Sequence, residues 1–75
     1  MLDPRVLNAE GLNLYQKGRI DDAIAKFDEA IEISPREAEP YFNRGNAYYA
    51  KGEFNKAILD FNKAMEIDPT FMEEF

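Results

Sequence analysis

Apolar side chains recur along this chain at intervals of three and four residues, which is the spacing of one face of an α-helix. The first such pattern predicts a helix over about residues 4–17, with Asp3 able to cap it, Pro4 suited to its first turn and Gly18 supplying a left-handed exit. A second helix follows and stops before Pro35. Its predicted buried stripe consists of Ile20, Ala23, Ile24, Phe27, Ala30 and Ile31.

The second half of the chain repeats this plan. A third helix is predicted over about residues 39–51, a turn at Gly52, and a fourth helix that ends before Pro69. The stripe predicted to be buried on the fourth helix consists of Phe54, Ala57, Ile58, Phe61, Ala64 and Met65. The pattern therefore predicts an all-α fold made of two tandem antiparallel helix-turn-helix hairpins.

Superposing residues 4–37 on residues 38–71 without a gap gives eleven identities in 34 aligned positions. The identical residues of the first copy are Gly11, Tyr15, Lys17, Gly18, Ala23, Ile24, Phe27, Ala30, Glu32, Ile33 and Pro35. A fixed period of this length indicates a solenoid, in which one supersecondary unit is stacked on the next.

Two of the repeated glycines, Gly11 and Gly45, fall inside predicted helices, where glycine costs roughly 1 kcal/mol relative to alanine. Close contact between the two helices of a hairpin would compensate for that cost. We expect Gly11 to face the small Ala23, with Phe27 covering the remainder of the contact.

Glycine, alanine, phenylalanine and proline at these fixed offsets resemble the tetratricopeptide repeat. The first copy matches with Gly11, Leu14, Gly18, Ala23, Phe27, Ala30 and Pro35, and the second with Tyr41, Gly45, Tyr48, Gly52, Ala57, Phe61, Ala64 and Pro69. The resemblance implies an α-solenoid with one repeat at residues 4–37 and another at 38–71. Residues 72–75 are then in phase with the start of a third repeat, which we expect to be truncated.

The family often places leucine one residue before its first glycine, whereas this chain has Glu10 and Arg44 there. If the first helices of consecutive repeats stack, these opposite charges could pair across the hairpin boundary. Two independent charges that reach solvent are the alternative, since exposed pairs contribute only about 0 to 1 kcal/mol.

Composition and charge narrow the function further. The chain has 75 residues, 45% of them hydrophobic and 32% charged, as in a soluble folded domain. Its net charge of -6 repels phosphate, and its nine basic residues are interleaved with acidic ones, so no nucleic-acid partner is expected. Signal-peptide features and an apolar stretch of membrane-spanning length are both missing, which favours a cytoplasmic setting without a membrane partner.

The sequence contains no cysteine and no histidine, so the usual nucleophile, general base and soft metal ligands are missing. Acidic pairs such as Asp21 with Asp22 are adjacent and therefore point apart on a helix. We expect no enzyme activity, no metal and no cofactor.

The resemblance implies a concave groove, lined by the first helix of each hairpin, that holds an extended or helical peptide. The groove residues expected here are Arg5, Asn8, Leu12, Tyr15, Glu39, Phe42, Asn43, Asn46 and Tyr49. Amides can pair with a peptide backbone in either sense, and tyrosine offers apolar area with a polar tip. The alternative is that Phe42 and Leu12 only pack against neighbouring first helices while the amides are solvated.

Members of the family that bind chaperone tails hold a carboxylate with lysine, asparagine and arginine side chains spread over three repeats. Asn43 alone matches that set, because Asn8 and Leu12 replace the pair in the first repeat. Docking of heat-shock chaperone tails is therefore not expected.

A second interaction surface is expected where a following helix would pack. It consists of Ile58, Leu59, Met65, Phe71, Met72 and Phe75. An exposed apolar patch marks an interaction site. Self-association through this face, by exchange of helices between chains, is the alternative function, and a tail that folds back over the patch is the third arrangement left open. The leading function is a protein-interaction module.

Overall fold

The computed structural model describes residues 2–70, which form four α-helices and no strand within that range. The helices are α1 Pro4–Gln16, α2 Ile20–Ile33, α3 Ala38–Ala50 and α4 Phe54–Ile67. They pack as two antiparallel hairpins, α1 with α2 and α3 with α4, and α2 against α3 joins the hairpins. The all-α fold class is confirmed.

The helix ends follow from local chemistry. Asp3 caps α1, since its Oδ1 atom accepts a hydrogen bond of 2.9 Å from the backbone N–H of Arg5. Both hairpin turns use glycine in the left-handed region, with φ of 80° at Gly18 and 81° at Gly52. The chain can therefore reverse directly after α1 and after α3.

The two helices of each hairpin approach closely at a glycine. A Cβ atom on Gly11 would lie 2.4 Å from the ring of Phe27, and one on Gly45 would lie 2.6 Å from the ring of Phe61. The three atoms nearest to such a Cβ on Gly11 all belong to Phe27, so the ring, rather than Ala23, makes the close contact. Glycine lowers helix propensity at these two positions, but the missing Cβ atoms leave room for the aromatic rings.

The core is continuous across the hairpin boundary. Ala47 of α3 is fully buried and packs in one cluster with three residues of α2, namely Ala23, Ile24 and Phe27. A second cluster joins Ala38 and Tyr41 of α3 to Ala64 of α4. Helix α3 is therefore buried from both sides.

The buried stripe predicted for α4 is wrong at three positions. Phe54 and Ile58 are each 53% exposed and Met65 is 39% exposed, whereas Ile24, which matches Ile58 in the repeat, is only 9% exposed. The physical cause is coverage, because α3 packs on α2 but no helix within residues 2–70 packs on the corresponding side of α4.

The pairing of Glu10 with Arg44 is also wrong. The carboxylate of Glu10 lies 3.6 Å from Nζ of Lys26, and the guanidinium of Arg44 bonds to Asp60 and Asp28. Glu10 thus pairs with the second helix of its own hairpin, and Arg44 pairs with the second helices of both hairpins, which pack more closely on α3 than α1 does.

No helix within residues 2–70 is long and apolar enough to cross a membrane.

Candidate partner-binding surface

The first helices of the two hairpins, α1 and α3, lie side by side, and a cavity of about 170 Å³ opens between their N-terminal ends. The cavity is lined by Pro4, Arg5, Asn8, Glu37, Glu39 and Pro40. Three of the nine residues expected to line the groove are among them. The structure therefore brings that part of the groove set into one concave place.

A line of hydrogen bonds crosses from α3 to α1 beside this cavity. Nδ2 of Asn43 donates to Oδ1 of Asn8 at 2.9 Å, and Nδ2 of Asn8 donates to Oε1 of Glu39 at 2.9 Å. Asn8 is 7% exposed and Asn43 is 8% exposed, while Glu39 is exposed. The two amides are thus buried and hydrogen-bonded to each other, and the exposed carboxylate at the end of the line belongs to Glu39.

This arrangement differs from solvated amides, which were the alternative left open by the sequence. A buried amide without a partner would destabilise the fold, so the mutual bond of Asn8 and Asn43 explains how two polar residues can lie under the surface. The bond also links α3 to α1 directly beside the cavity.

Arg5 stands at the rim of the cavity. Its Nη2 atom lies 3.2 Å from Oδ2 of Asp3, and its side chain is 90% exposed. The hydrogen bonds from Arg5 lower the pKa of Asp3, and those to Asp3 raise the pKa of Arg5. An exposed cation at this point can reach a group bound in the cavity.

The apolar members of the groove set pack inward to different degrees. Leu12 and Tyr15 are half-buried against the cluster around Ile24, and the ring of Phe42 lies 5.7 Å from that of Phe61. Leu12 and Phe42 thus pack mainly against the second helices of their hairpins, whereas the packing alternative expected contact with neighbouring first helices. Their half-exposed parts still contribute to the surface.

The last two members of the groove set lie towards the C-terminal end of α3. Asn46 is half-buried, and Tyr49 is 62% exposed with its ring in edge contact with Phe54 at 5.0 Å. Asn46 carries no hydrogen bond to another described side chain. It therefore offers its amide to a ligand more readily than Asn43 does.

Sequence reasoning missed the role of Arg44 in holding this surface together. Its guanidinium lies over the rings of Tyr41 and Tyr48, with distances of 5.7 and 5.9 Å to the ring centroids, and bonds to Asp60 and Asp28. The hydrogen bond to Asp60 raises the pKa of Arg44. One cation thereby fixes α3 against both of its neighbours.

A signal for this pairing is present in the sequence. Lys26 and Asp60 occupy matching positions of the two repeats, as do Glu10 and Arg44, and both pairs of positions reverse charge together. Opposite charges that exchange in step between repeats indicate contact within each hairpin.

The face expected to self-associate is exposed where it is described. Ile58, Leu59 and Met65 are 53%, 69% and 39% exposed, and Phe71, Met72 and Phe75 lie outside the described residues. Leu59 differs from the other two, because its counterpart Ala25 is also exposed although α3 covers α2. Leu59 therefore belongs to the outer surface of the hairpin.

Within residues 2–70, no three acidic side chains lie close enough together to hold a metal ion.

Comparison with known proteins agrees with this architecture. The TPR repeat family matches residues 11–52, and the tetratricopeptide repeat matches residues 38–71. Tetratricopeptide repeat protein 36 of Caenorhabditis elegans is 43% identical over 42 residues, which is 56% of this chain and 24% of that relative. The chain thus spans about a quarter of the length of that relative. Since one family match covers more than half of the sequence, the chain belongs to the tetratricopeptide repeat family.

Proposed function

We propose that this chain binds a segment of a partner protein along the groove formed by α1 and α3. Tetratricopeptide repeats generally mediate interactions between proteins. The observation that supports this site is the line from Asn43 through Asn8 to Glu39, which ends in an exposed carboxylate beside the cavity. A prebuilt polar line next to a concave surface can receive a ligand without first being ordered.

The chemistry of the groove suits a neutral or basic segment in extended or helical form. The Glu39 carboxylate can accept backbone or side-chain N–H groups, and the amide of Asn46 can both donate and accept. Tyr49 adds exposed apolar area at the far end. The net charge of -6 attracts basic segments over a distance of about one Debye length.

A selection from a random peptide library on the purified chain tests this proposal. A selected peptide should lose affinity by about fivefold to tenfold with Asn46→Ala, since one hydrogen bond contributes about 1 kcal/mol. Glu29→Ala on the exposed side of α2 is the matched control and should leave affinity unchanged. Equal effects of the two substitutions would contradict binding in the groove.

Self-association through α4 is the second candidate function. It is favoured by the exposure of Ile58, which is 53% against 9% for Ile24 at the same place in the other repeat. Light scattering over a concentration series would show a dimer or larger species that Ile58→Glu converts to monomer. A monomer at all concentrations would remove this candidate.

The repeats of this family are generally non-catalytic, and we extend that to this chain. The absence of nucleic-acid partners and the cytoplasmic setting stay predictions from the sequence.

A further inference from the structure

The cavity between the N-terminal ends of α1 and α3 is lined by apolar and acidic residues together. Its volume is about 170 Å³, and two prolines line it, Pro4 of α1 and Pro40 of α3. Glu37 and Glu39, both exposed, line the same cavity. A long basic side chain has two parts that match this lining, because its methylene stem packs on apolar surface while its charged head stays among polar groups.

Both carboxylates can still accept hydrogen bonds. Oε1 of Glu39 accepts from Nδ2 of Asn8, but within residues 2–70 no side chain donates to Oε2 of Glu39. The carboxylate of Glu37 likewise accepts no hydrogen bond from a described residue. An ionised carboxylate has room for about four hydrogen bonds, so each of the two can receive donors from a ligand.

The guanidinium that lines the cavity is already engaged outside it. Nη2 and Nε of Arg5 donate to the carboxylate of Asp3 at 3.2 and 3.4 Å. These hydrogen bonds are the main cause of the raised pKa of Arg5, and the nearby charge of Glu37 adds to it. With Arg5 neutralised by Asp3, the lining retains an excess of negative charge.

The helix end beside the cavity does not favour an anion, although helix N-termini often bind one. Pro4 has no N–H group. The N–H groups of Arg5 and Val6 are both bonded to Asp3, at 2.9 Å to Oδ1 and 3.0 Å to the backbone carbonyl. Pro40 removes a further donor from the first turn of α3. An anion in the cavity would therefore meet few free donors and two carboxylates.

No other basic side chain of the described residues fills this place. Arg36 precedes Glu37 in the sequence, but it lines a different cavity together with Pro35 and Tyr41. Among residues 2–70, Arg5 is the basic residue that lines the cavity between α1 and α3. A cation that neutralises the two carboxylates therefore has to come with the ligand.

We propose that this cavity holds a lysine or arginine side chain of the partner segment, with its stem against Pro4 and Pro40 and its charged head at the carboxylates of Glu37 and Glu39. The inference rests on the proposed function, because the segment has to lie along the groove of α1 and α3. It adds the class of side chain that the segment carries at this end of the groove.

The test uses the whole chain and the peptide selected from the random library. Each lysine or arginine of that peptide is replaced in turn by norleucine, which keeps an apolar stem and removes the charge. We expect the peptide to contain a basic residue whose replacement weakens binding about fivefold by fluorescence anisotropy, as exposed ion pairs allow.

Matched variants of the protein locate the charge that the peptide meets. Glu37→Gln combined with Glu39→Gln should weaken the selected peptide about fivefold, while glutamine at position 39 keeps an acceptor for Asn8. The norleucine peptide should not respond to this pair of substitutions, which is the coupling that a double-mutant cycle measures. Glu29→Gln combined with Glu66→Gln removes two charges outside the cavity lining and should leave both affinities unchanged. Circular dichroism checks that the helix content is the same in all variants.

Asn46→Ala separates this inference from the proposed function. A peptide that Asn46→Ala weakens but that lacks a basic residue would overturn the inference and leave the groove as the binding site. The same follows if the cavity variant and the control variant have equal effects, or if the norleucine peptide responds to the cavity variant as the selected peptide does. A selection in which no peptide responds to Asn46→Ala would overturn both.

Discussion

The guanidinium of Arg44 donates two hydrogen bonds to the carboxylate of Asp60, at 2.8 Å from Nε and 2.7 Å from Nη2. Asp60 is only 5% exposed, although Ile58 and Leu59 beside it on the same helix are 53% and 69% exposed. The corresponding pair in the first repeat, Glu10 with Lys26, has the opposite polarity and a looser contact of 3.6 Å. The second hairpin thus contains a partly buried ion pair where the first contains an exposed one.

Loss of one partner of this pair should be costly. Asp60→Ala leaves Arg44 without its main counter-charge, and we expect the free energy of unfolding to fall by about 2 to 3 kcal/mol, because Asp28 and partial exposure relieve some of the penalty. Urea denaturation followed by circular dichroism measures the change.

Replacement of both partners separates charge from packing. Arg44→Leu combined with Asp60→Leu should recover most of the lost stability, since an apolar pair avoids the desolvation of two charges. Glu66→Ala, which removes the exposed pair with Lys63, is the control and should change the free energy of unfolding by about 0.5 kcal/mol or less. A double variant no more stable than Asp60→Ala would contradict this account of Arg44.

The close approach at Gly11 predicts an unusual response to alanine. Alanine stabilises most helix positions relative to glycine by about 1 kcal/mol, but here its Cβ atom would collide with the fully buried ring of Phe27. We expect Gly11→Ala to lower the free energy of unfolding by about 1 to 3 kcal/mol.

A smaller neighbour should relieve the collision. Phe27→Leu is expected to destabilise less in the Gly11→Ala background than in the unmodified chain, which a double-mutant cycle by urea denaturation would detect. A stabilising effect of Gly11→Ala alone would show that the contact is not tight.

Much of the fold could be predicted because it depends on local rules. Helix period, the cap at Asp3 and the glycine turns each leave a mark in the sequence. The predicted bounds of α1 and α3 and the predicted ends of α2 and α4 therefore lie within about one residue of those observed. The exposure of Ile58 could not be read from periodicity, since an apolar stripe shows which side of a helix seeks cover and not whether a neighbour provides it. The ion-pair partner of Arg44 could not be predicted from periodicity either, because it depends on which helices pack closest to each other.

The candidate site was less accessible to sequence reasoning. Asparagine residues at helical spacing were expected to face a peptide, but Asn43 bonds to Asn8 beneath the surface instead. The sequence alone does not show whether an asparagine amide will hydrogen-bond to a ligand or to another amide of the chain. Binding by the groove therefore stays a proposal.

The amide pair has a measurable energetic consequence. Asn43→Ala would leave Oδ1 of Asn8 buried without its donor, so we expect the free energy of unfolding to fall by about 1 to 2 kcal/mol. Asn8→Ala should have a similar effect, and the double variant should cost less than the sum of the two. Strict additivity in a double-mutant cycle would show that the two amides do not support each other.

The cap of α1 predicts a dependence on acid. Hydrogen bonds from Arg5 lower the pKa of Asp3 below its ordinary value of 3.8, so its contribution to stability is present above that value and is lost as the pH falls through the lowered pKa. The unmodified chain should therefore exceed Asp3→Ala in urea midpoint at pH 6, and the difference should shrink below pH 3.8. A difference that is unchanged in acid would contradict capping by the carboxylate.

The central claim is that a partner is bound in the groove between α1 and α3, and nuclear magnetic resonance tests it most directly. A library-selected peptide would be titrated into the ¹⁵N-labelled chain and the backbone amide shifts followed. The account predicts that the largest changes cluster around Arg5, Asn8, Glu39 and Asn46, with little change at Ala25 and Glu29 on the exposed side of α2. Changes centred on Ala25 and Glu29, with the groove unaffected, would contradict it.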